Sequence, residues 1–281
     1  MPVVTLSGRA FLHLSGKDAE PFLQALITTD LPSLPEGELR PGALLTPQGK
    51  ILFDFLIRRD GADAFLIETA AGQRDALAKR LTMYKLRAAV EIAALDETEA
   101  TVAWDAPEAN AARDARFARA GHAVSRRIGG GGTDAPALYD RLRIAAGIVE
   151  SGADYALSDA FPHDVLLDLS AGLSFRKGCY VGQEVVSRMQ HRGTARRRPA
   201  IVQAGCDLPS SGTELVAAGK PVGTLGTVAG SGGLAIVRID RVGAALASGT
   251  PILADDVAVT LSLPAWTGLA FPAEEAEAPA S

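Results

Sequence analysis

Alternation runs through Ile51–Arg58, with Ile51, Phe53, Phe55 and Ile57 on one face and Leu52, Asp54, Leu56 and Arg58 on the other. This predicts a strand. Asp60-Gly61 behind it predicts a tight reversal into a partner strand at Ala64–Thr69. Arg9–Leu14 and Gly42–Thr46 also read as strands, the second followed by a turn at Pro47–Lys50. From Asp18, the residues Phe22, Leu23, Leu26 and Ile27 recur at helical spacing, and Ala71–Met83 repeats that pattern through Leu77 and Leu81. Further strands are predicted at Ala89–Leu95 and Thr101–Trp104, and a helix over Ala135–Ala146 that ends at Gly147. Pro107–Arg116 reads as irregular or helical. Gly129–Gly132 reads as a flexible loop, because no Lys-Ser or Lys-Thr follows it as a phosphate loop requires. Hairpins mixed with helices predict an α+β fold with an antiparallel or mixed sheet.

The pattern changes after Pro199. Six short apolar runs alternate with Gly turns: Ala200–Gln203, Thr213–Ala217, Val222–Val228, Leu234–Ile239, Pro251–Leu253 and Val257–Leu263. Such spacing predicts a small antiparallel β-barrel. The expected organisation is an α+β region of two subdomains over 1–195, a barrel over 196–270 and a disordered Ala/Glu/Pro-rich tail over 271–281.

Composition narrows the class. The 281 residues are 47% hydrophobic and 22% charged, as in an ordinary globular protein, and the net charge of −5 argues against a generally basic nucleic-acid binder. Two cysteines, Cys179 and Cys206, exclude a disulfide framework and cannot by themselves hold a four-cysteine cluster. No cluster of metal ligands is read. No apolar run reaches the roughly 18 residues of a membrane span. The start lacks a basic region followed by an apolar stretch, so the expected location is the cytoplasm.

The densest chemistry lies in Phe175–His191. Arg176 and Lys177 precede Cys179, glycines stand at 178 and 182, and Gln183 and Glu184 open a helical run carrying Val185, Val186 and Met189. A cysteine just ahead of a helix N-terminus and beside two cations has the setting that favours a reactive thiolate. A buried cysteine in a glycine turn is the competing reading. Asp54, between two leucines, is either satisfied by a neighbour or held in a cleft to bind a ligand. Between Arg176 and Arg198 there are seven Lys/Arg against one acidic residue, Glu184. That patch, in particular Arg192–Arg198, is a candidate contact for tRNA or another polyanion, or a solvated face.

Lys177-Gly-Cys-Tyr-Val-Gly-Gln-Glu184 resembles the Lys-Gly-Cys-Tyr-x-Gly-Gln-Glu signature of the YgfZ folate-binding proteins, which are related to the glycine-cleavage T-protein, an aminomethyltransferase. The resemblance extends over Phe22–Asp30, Gly49–Asp54, Arg143–Gly147 and Gly172–Phe175. It implies a T-protein-like folate-binding region followed by a β-barrel. It also implies tetrahydrofolate or a one-carbon derivative as cofactor, and a role in assembly or repair of iron–sulfur clusters, including those of tRNA-modifying enzymes. Partners would be iron–sulfur assembly proteins or client enzymes. In this light Cys179 and Lys177 are the expected reactive pair. Asp54, Arg143, Tyr84, Arg87, Gln183 and Glu184 are the expected folate contacts. Two departures separate the chain from T-proteins: a single Asp54 stands where they carry an aspartate pair, and Arg143-Ile-Ala-Ala-Gly147 lacks their glutamate. These argue against aminomethyl transfer, which stays an alternative beside an RNA-binding scaffold.

Overall fold

The computed structural model describes residues 1–272 apart from 107 and 109. It comprises two compact units. The first contains Met1–Tyr139, Leu157–Pro162 and Leu167–Arg192; the second contains Asp140–Ala156, His163–Leu166 and the chain from Gly193 onward. The expected disordered tail lies from 273 onward outside the described residues.

In chain order the first unit holds β1 (Val3–Ser7), β2 (Arg9–Ser15), α1 (Ala19–Gln24), β3 (Glu38–Leu45), β4 (Ile51–Arg59), β5 (Ala64–Ala70), α2 (Ala71–Lys85), β6 (Glu91–Ala94), β7 (Glu99–Trp104), β8 (Ala112–Asp114), α3 (Ala115–Arg119) and β9 (Val124–Ile128). Helix α4 (Ala137–Ala146) begins in this unit and continues into the second, and α5 (Gln183–Arg192) belongs to the first. The nine strands form one sheet in the order β1-β7-β9-β8-β3-β4-β5-β2-β6. Every pairing is antiparallel except β3 with β8. The alternation read along β4 has its physical basis here. Phe53, Phe55 and Ile57 enter a core with Leu12, Leu14, Leu23, Ile27, Phe65, Leu77 and Leu81, while Leu56 on the opposite face packs with Leu39 and Ala112. The α+β class follows from this sheet and its helices.

One polar cluster is buried in the sheet. Glu68 on β5 accepts from Arg126 on β9 through both oxygens, at 2.5 and 2.8 Å, and from Arg9 on β2 at 2.7 Å. Arg126 also donates to the Tyr139 hydroxyl at 3.2 Å. Burial would raise the Glu68 pKa, but the two guanidiniums outweigh it and hold the carboxyl down to about 2.

The second unit contains β10 (Arg197–Ala204), β11 (Glu214–Ala217), β12 (Lys220–Ala229), β13 (Gly232–Arg238), α6 (Ile239–Ala247), β14 (Ile252–Ala254) and β15 (Val257–Ser262). The six strands form a closed barrel, sealed by β10 pairing with β15. Its interior is Val202, Leu215, Leu225, Val237, Ile252, Leu261 and neighbours.

Several local elements depart from the sequence reading, among them the strands β1 and β9, which were not read. Residues 112–119 form a short strand and a helix, β8 and α3. The glycine run is not free: Gly131 and Gly132 N–H groups donate to the Thr5 hydroxyl, and a Cβ at Gly132 would lie 2.4 Å from Val4 and Thr5 backbone atoms. Helix α6 stands where only a connection between strands was read, with Val242, Gly243 and Ala245 buried.

Candidate functional site

Cys179 sits on the loop between residues 173 and 182 that leads into α5, and its side chain is exposed. Two anchors fix that loop. Lys177 turns inward and its ammonium donates to the carbonyls of Ile27 at 2.7 Å and Thr29 at 2.5 Å, with the Tyr180 ring 5.5 Å away. Downstream, Gly182 packs on the β3–β4 turn. A Cβ there would fall 2.5 Å from the Thr46 carbonyl, and φ is +79°, a conformation that glycine accepts freely. Gly49 in that turn meets Val185 of α5 from the other side. The signature glycine at 182 is thus required by close backbone approach, and the helix start is locked to the hairpin.

The same turn-and-helix segment carries Gln183 and Glu184. The Gln183 N–H donates to the Tyr180 carbonyl at 3.2 Å. Glu184 is exposed and accepts from Arg188 one turn on. Tyr180 is buried, and its hydroxyl has no hydrogen-bond partner among the described residues. Burial pushes its phenol up, so the group stays protonated and available as a donor. The sequence offered only one signal for this residue: an aromatic beside the cysteine in an otherwise polar octet.

Desolvation pushes the Lys177 amine down to about 8, opposed by the charge of Asp30. Asp30 is itself held below its usual value: burial opposes this, but hydrogen bonds from Ser33 and Gln24 and the Lys177 charge prevail. Between about pH 8 and about 10.5 the unfolded chain binds the Lys177 proton and the folded chain releases it. Stability contributed by this group therefore rises with pH across that window. Competitive acetylation followed by peptide mapping is expected to show Lys177 gaining reactivity with a midpoint near pH 8. A midpoint shared with the exposed lysines, near 10.4, would refute this.

Asp54 lies on β4, part-buried, clasped by Gln73 in the first turn of α2. The Gln73 amide donates to its carboxylate at 2.9 Å and accepts from its backbone N–H at 3.4 Å. Tyr84 lies at the other end of α2, about 16 Å along the axis from Gln73 at 1.5 Å per residue, and Arg87 lies just beyond that end. They are exposed, so helix geometry does not bring them to Asp54. Arg143 lies in the second unit, buried, and donates to Asp154, Asp140, Thr227 and the Ile148 carbonyl. In the patch after α5, Arg197 pairs with Asp164 and the buried Arg198 donates to the His163 carbonyl, whereas Arg192 and Arg196 are exposed. Among the described residues no group of three or more His, Cys, Asp or Glu side chains is arranged to hold a metal ion. The site's chemistry is an exposed thiol on an anchored loop, a perturbed amine turned inward from it and a buried phenol donor.

Comparison with known proteins agrees with the architecture. Residues 4–118 match the GCVT N-terminal domain and residues 196–269 match the C-terminal β-barrel domain of CAF17. Among solved structures, the glycine cleavage system aminomethyltransferase T of Bartonella henselae superposes with a TM-score of 0.70 at 17% identity, covering 94% of this chain and 85% of that one, which establishes likeness of fold. The iron–sulfur cluster assembly factor IBA57, mitochondrial, of Mus musculus is 31% identical over 93% of this chain and 84% of its own length. Its Homo sapiens counterpart is 30% identical over the same shares. The Chaetomium globosum homologue is 34% identical over 70% of this chain, which spans 54% of that longer protein. These names place the relatives in the mitochondrion and overturn the cytoplasmic expectation: low cysteine usage excludes a disulfide framework but does not separate one reducing compartment from another. The chain belongs to the IBA57 family of iron–sulfur cluster assembly factors.

Proposed function

We propose that this chain supports iron–sulfur cluster assembly by presenting Cys179 as a thiolate to a cluster, a sulfur donor or a partner thiol. The observation that carries this reading is the exposed cysteine on a loop clamped by Lys177 and Gly182, in a chain whose relatives are named for cluster assembly. One thiolate supplies one ligand, so a cluster held here as cargo draws its other ligands from a partner protein or a small thiol. The YgfZ-like signature agrees with this division, since it fixes one cysteine in a rigid frame. Clients would include the iron–sulfur enzymes that modify tRNA. Direct contact with tRNA would rest on Arg192 and Arg196. The test is complementation: cells depleted of their own factor regain iron–sulfur enzyme activity when they express this chain. Failure to restore activity at wild-type expression levels refutes the proposal.

We assign tetrahydrofolate, or a one-carbon derivative, to the first unit as cofactor. Two residues fit it: Asp54, a part-buried carboxylate already oriented by Gln73, and Tyr180, a buried donor with no hydrogen-bond partner among the described residues. When bound, folate supplies one-carbon chemistry. Asp54 would accept from a donor on the folate, and Tyr180 is a second group, able to donate to it. Gln183 and Glu184 serve as frame or outer contacts. The absence of a carboxylate at Ala145 speaks against aminomethyl transfer. Calorimetric titration is expected to show saturable tetrahydrofolate binding that weakens about tenfold in Asp54→Asn, the equivalent of one lost charge-assisted hydrogen bond. No binding at millimolar ligand rejects the assignment.

A further inference from the structure

Away from the cysteine loop, one margin of the first unit is unexplained by folding or by the proposed function. Of the five large apolar side chains exposed among the described residues, three fall within four positions at the end of α2: Met83 (62%), Tyr84 (37%) and Leu86 (90%). Leu86 has φ +43° and ψ −103°, and the Ala88 N–H donates to the Lys85 carbonyl at 2.8 Å. That is the geometry of the first central position of a type II′ turn, where glycine is normal. A leucine there is strained, yet it gains no burial to offset the strain.

The neighbouring strand β6 is the last in the sheet and, among the described residues, pairs only with β2, through Ser15–Leu12 against Glu91–Ala94. Its other margin is an open ladder of the kind to which an extended chain adds. Between the end of α2 and β6 runs a cleft of ≈ 440 Å³ lined by Thr82, Lys85, Ala88, Val90, Glu91 and Ile92. Charge gives it a preference. In a chain of net charge −5, α2 and its turn carry Lys79, Arg80, Lys85 and Arg87, none of them ion-paired among the described residues. Against them stand Glu91, which lines the cleft, and Asp18, whose carboxylate accepts from the Ala89 N–H of the cleft wall; Asp75 is engaged by Arg74.

We propose that the α2–β6 margin docks an extended acidic segment of a partner protein, which adds to β6 as a further strand and packs an apolar side chain against Met83, Tyr84 and Leu86. The apolar patch and basic surround also suit an anionic lipid surface. The open ladder favours a peptide, because only a chain offers alternating N–H and C=O groups in register with β6. Tyr84 and Arg87 thus become docking residues rather than folate contacts.

The test uses the full chain and a fluorescein-labelled eight-residue peptide alternating Glu with Val, followed by fluorescence anisotropy and amide hydrogen exchange. Expected results are saturable binding that weakens between 50 and 200 mM salt, with slowed exchange in β6. Leu86→Gly is expected to raise the melting temperature, because it relieves the turn, and to weaken the peptide at least fivefold. Lys85→Glu with Arg87→Glu is expected to weaken it more than tenfold. No saturable binding, unchanged affinity in Leu86→Gly, or slowed exchange outside β6 overturns the proposal. So does cosedimentation with phosphatidylcholine–phosphatidylglycerol vesicles without peptide binding.

Discussion

Cys179→Ser is expected to remove most of the chain's capacity to restore iron–sulfur enzyme activity in depleted cells, by at least tenfold, without altering its fold. The side chain is exposed and contributes nothing to either core, so exchanging sulfur for oxygen belongs with surface changes worth less than about 0.5 kcal/mol. The chemical loss is large. A hydroxyl is not ionised near neutral pH and is a poor ligand for iron, whereas a thiolate is both nucleophile and soft ligand. Position reinforces identity: the residue sits on a loop held on both sides of it, by Lys177 upstream and by Gly182 downstream. Cys206→Ser is the matched control, a second exposed thiol, in the other unit. Full activity in Cys179→Ser, or equal losses in both variants, would remove the thiolate from the mechanism.

Glu68→Ala is expected to destabilise the first unit by about 3–5 kcal/mol, because it strands a buried guanidinium. Arg126 would keep only the Tyr139 hydroxyl as a side-chain partner among those hydrogen bonds described, and Arg9 would lose its carboxylate. The pH dependence identifies the cause. With Glu68 held down to about 2 in the folded chain and near 4.5 when unfolded, its contribution is fully present above about pH 4.5 and is lost as pH falls toward 2. Urea melts at pH 7 and pH 3 are therefore expected to show a smaller gap between wild type and Glu68→Ala at the lower pH. An equal gap at both values would mean that packing, not charge, sets the loss.

Much of this was legible in the residues. The barrel was readable because six apolar runs were separated by glycine turns, and β4 because its alternation is uninterrupted. Helix α6 was not: Ile239–Ala247 is short and interrupted by Gly243, and its helical state is tied to a buried Val242 face that the barrel supplies. The pinned glycine run depends on the Thr5 hydroxyl more than 120 residues away, a contact no local pattern encodes. At the site, the cysteine loop and its glycines announced themselves by composition. The direction of Lys177 did not, since adjacency along the chain placed it beside Cys179 and the fold sends it to Ile27 and Thr29. The separation of Asp54, clasped by Gln73 at the start of α2, from Tyr84 and Arg87 at its far end also required the helix to be seen.

The Lys177 anchor has a consequence for the birth of the protein. Its hydrogen-bond partners lie 148 and 150 residues earlier in the chain. Ribosomes add about 5–20 residues per second, so Ile27 waits roughly 8–30 s before its partner is made. Closing so long a loop is entropically unfavourable until the intervening sheet has brought its ends together. The thiol-bearing segment is therefore among the last parts of the first unit to acquire its native course. During synthesis and after transient opening, the Cys179 sulfur lies on an untethered strand of polypeptide, free to meet oxidants or the wrong thiol before its loop is set.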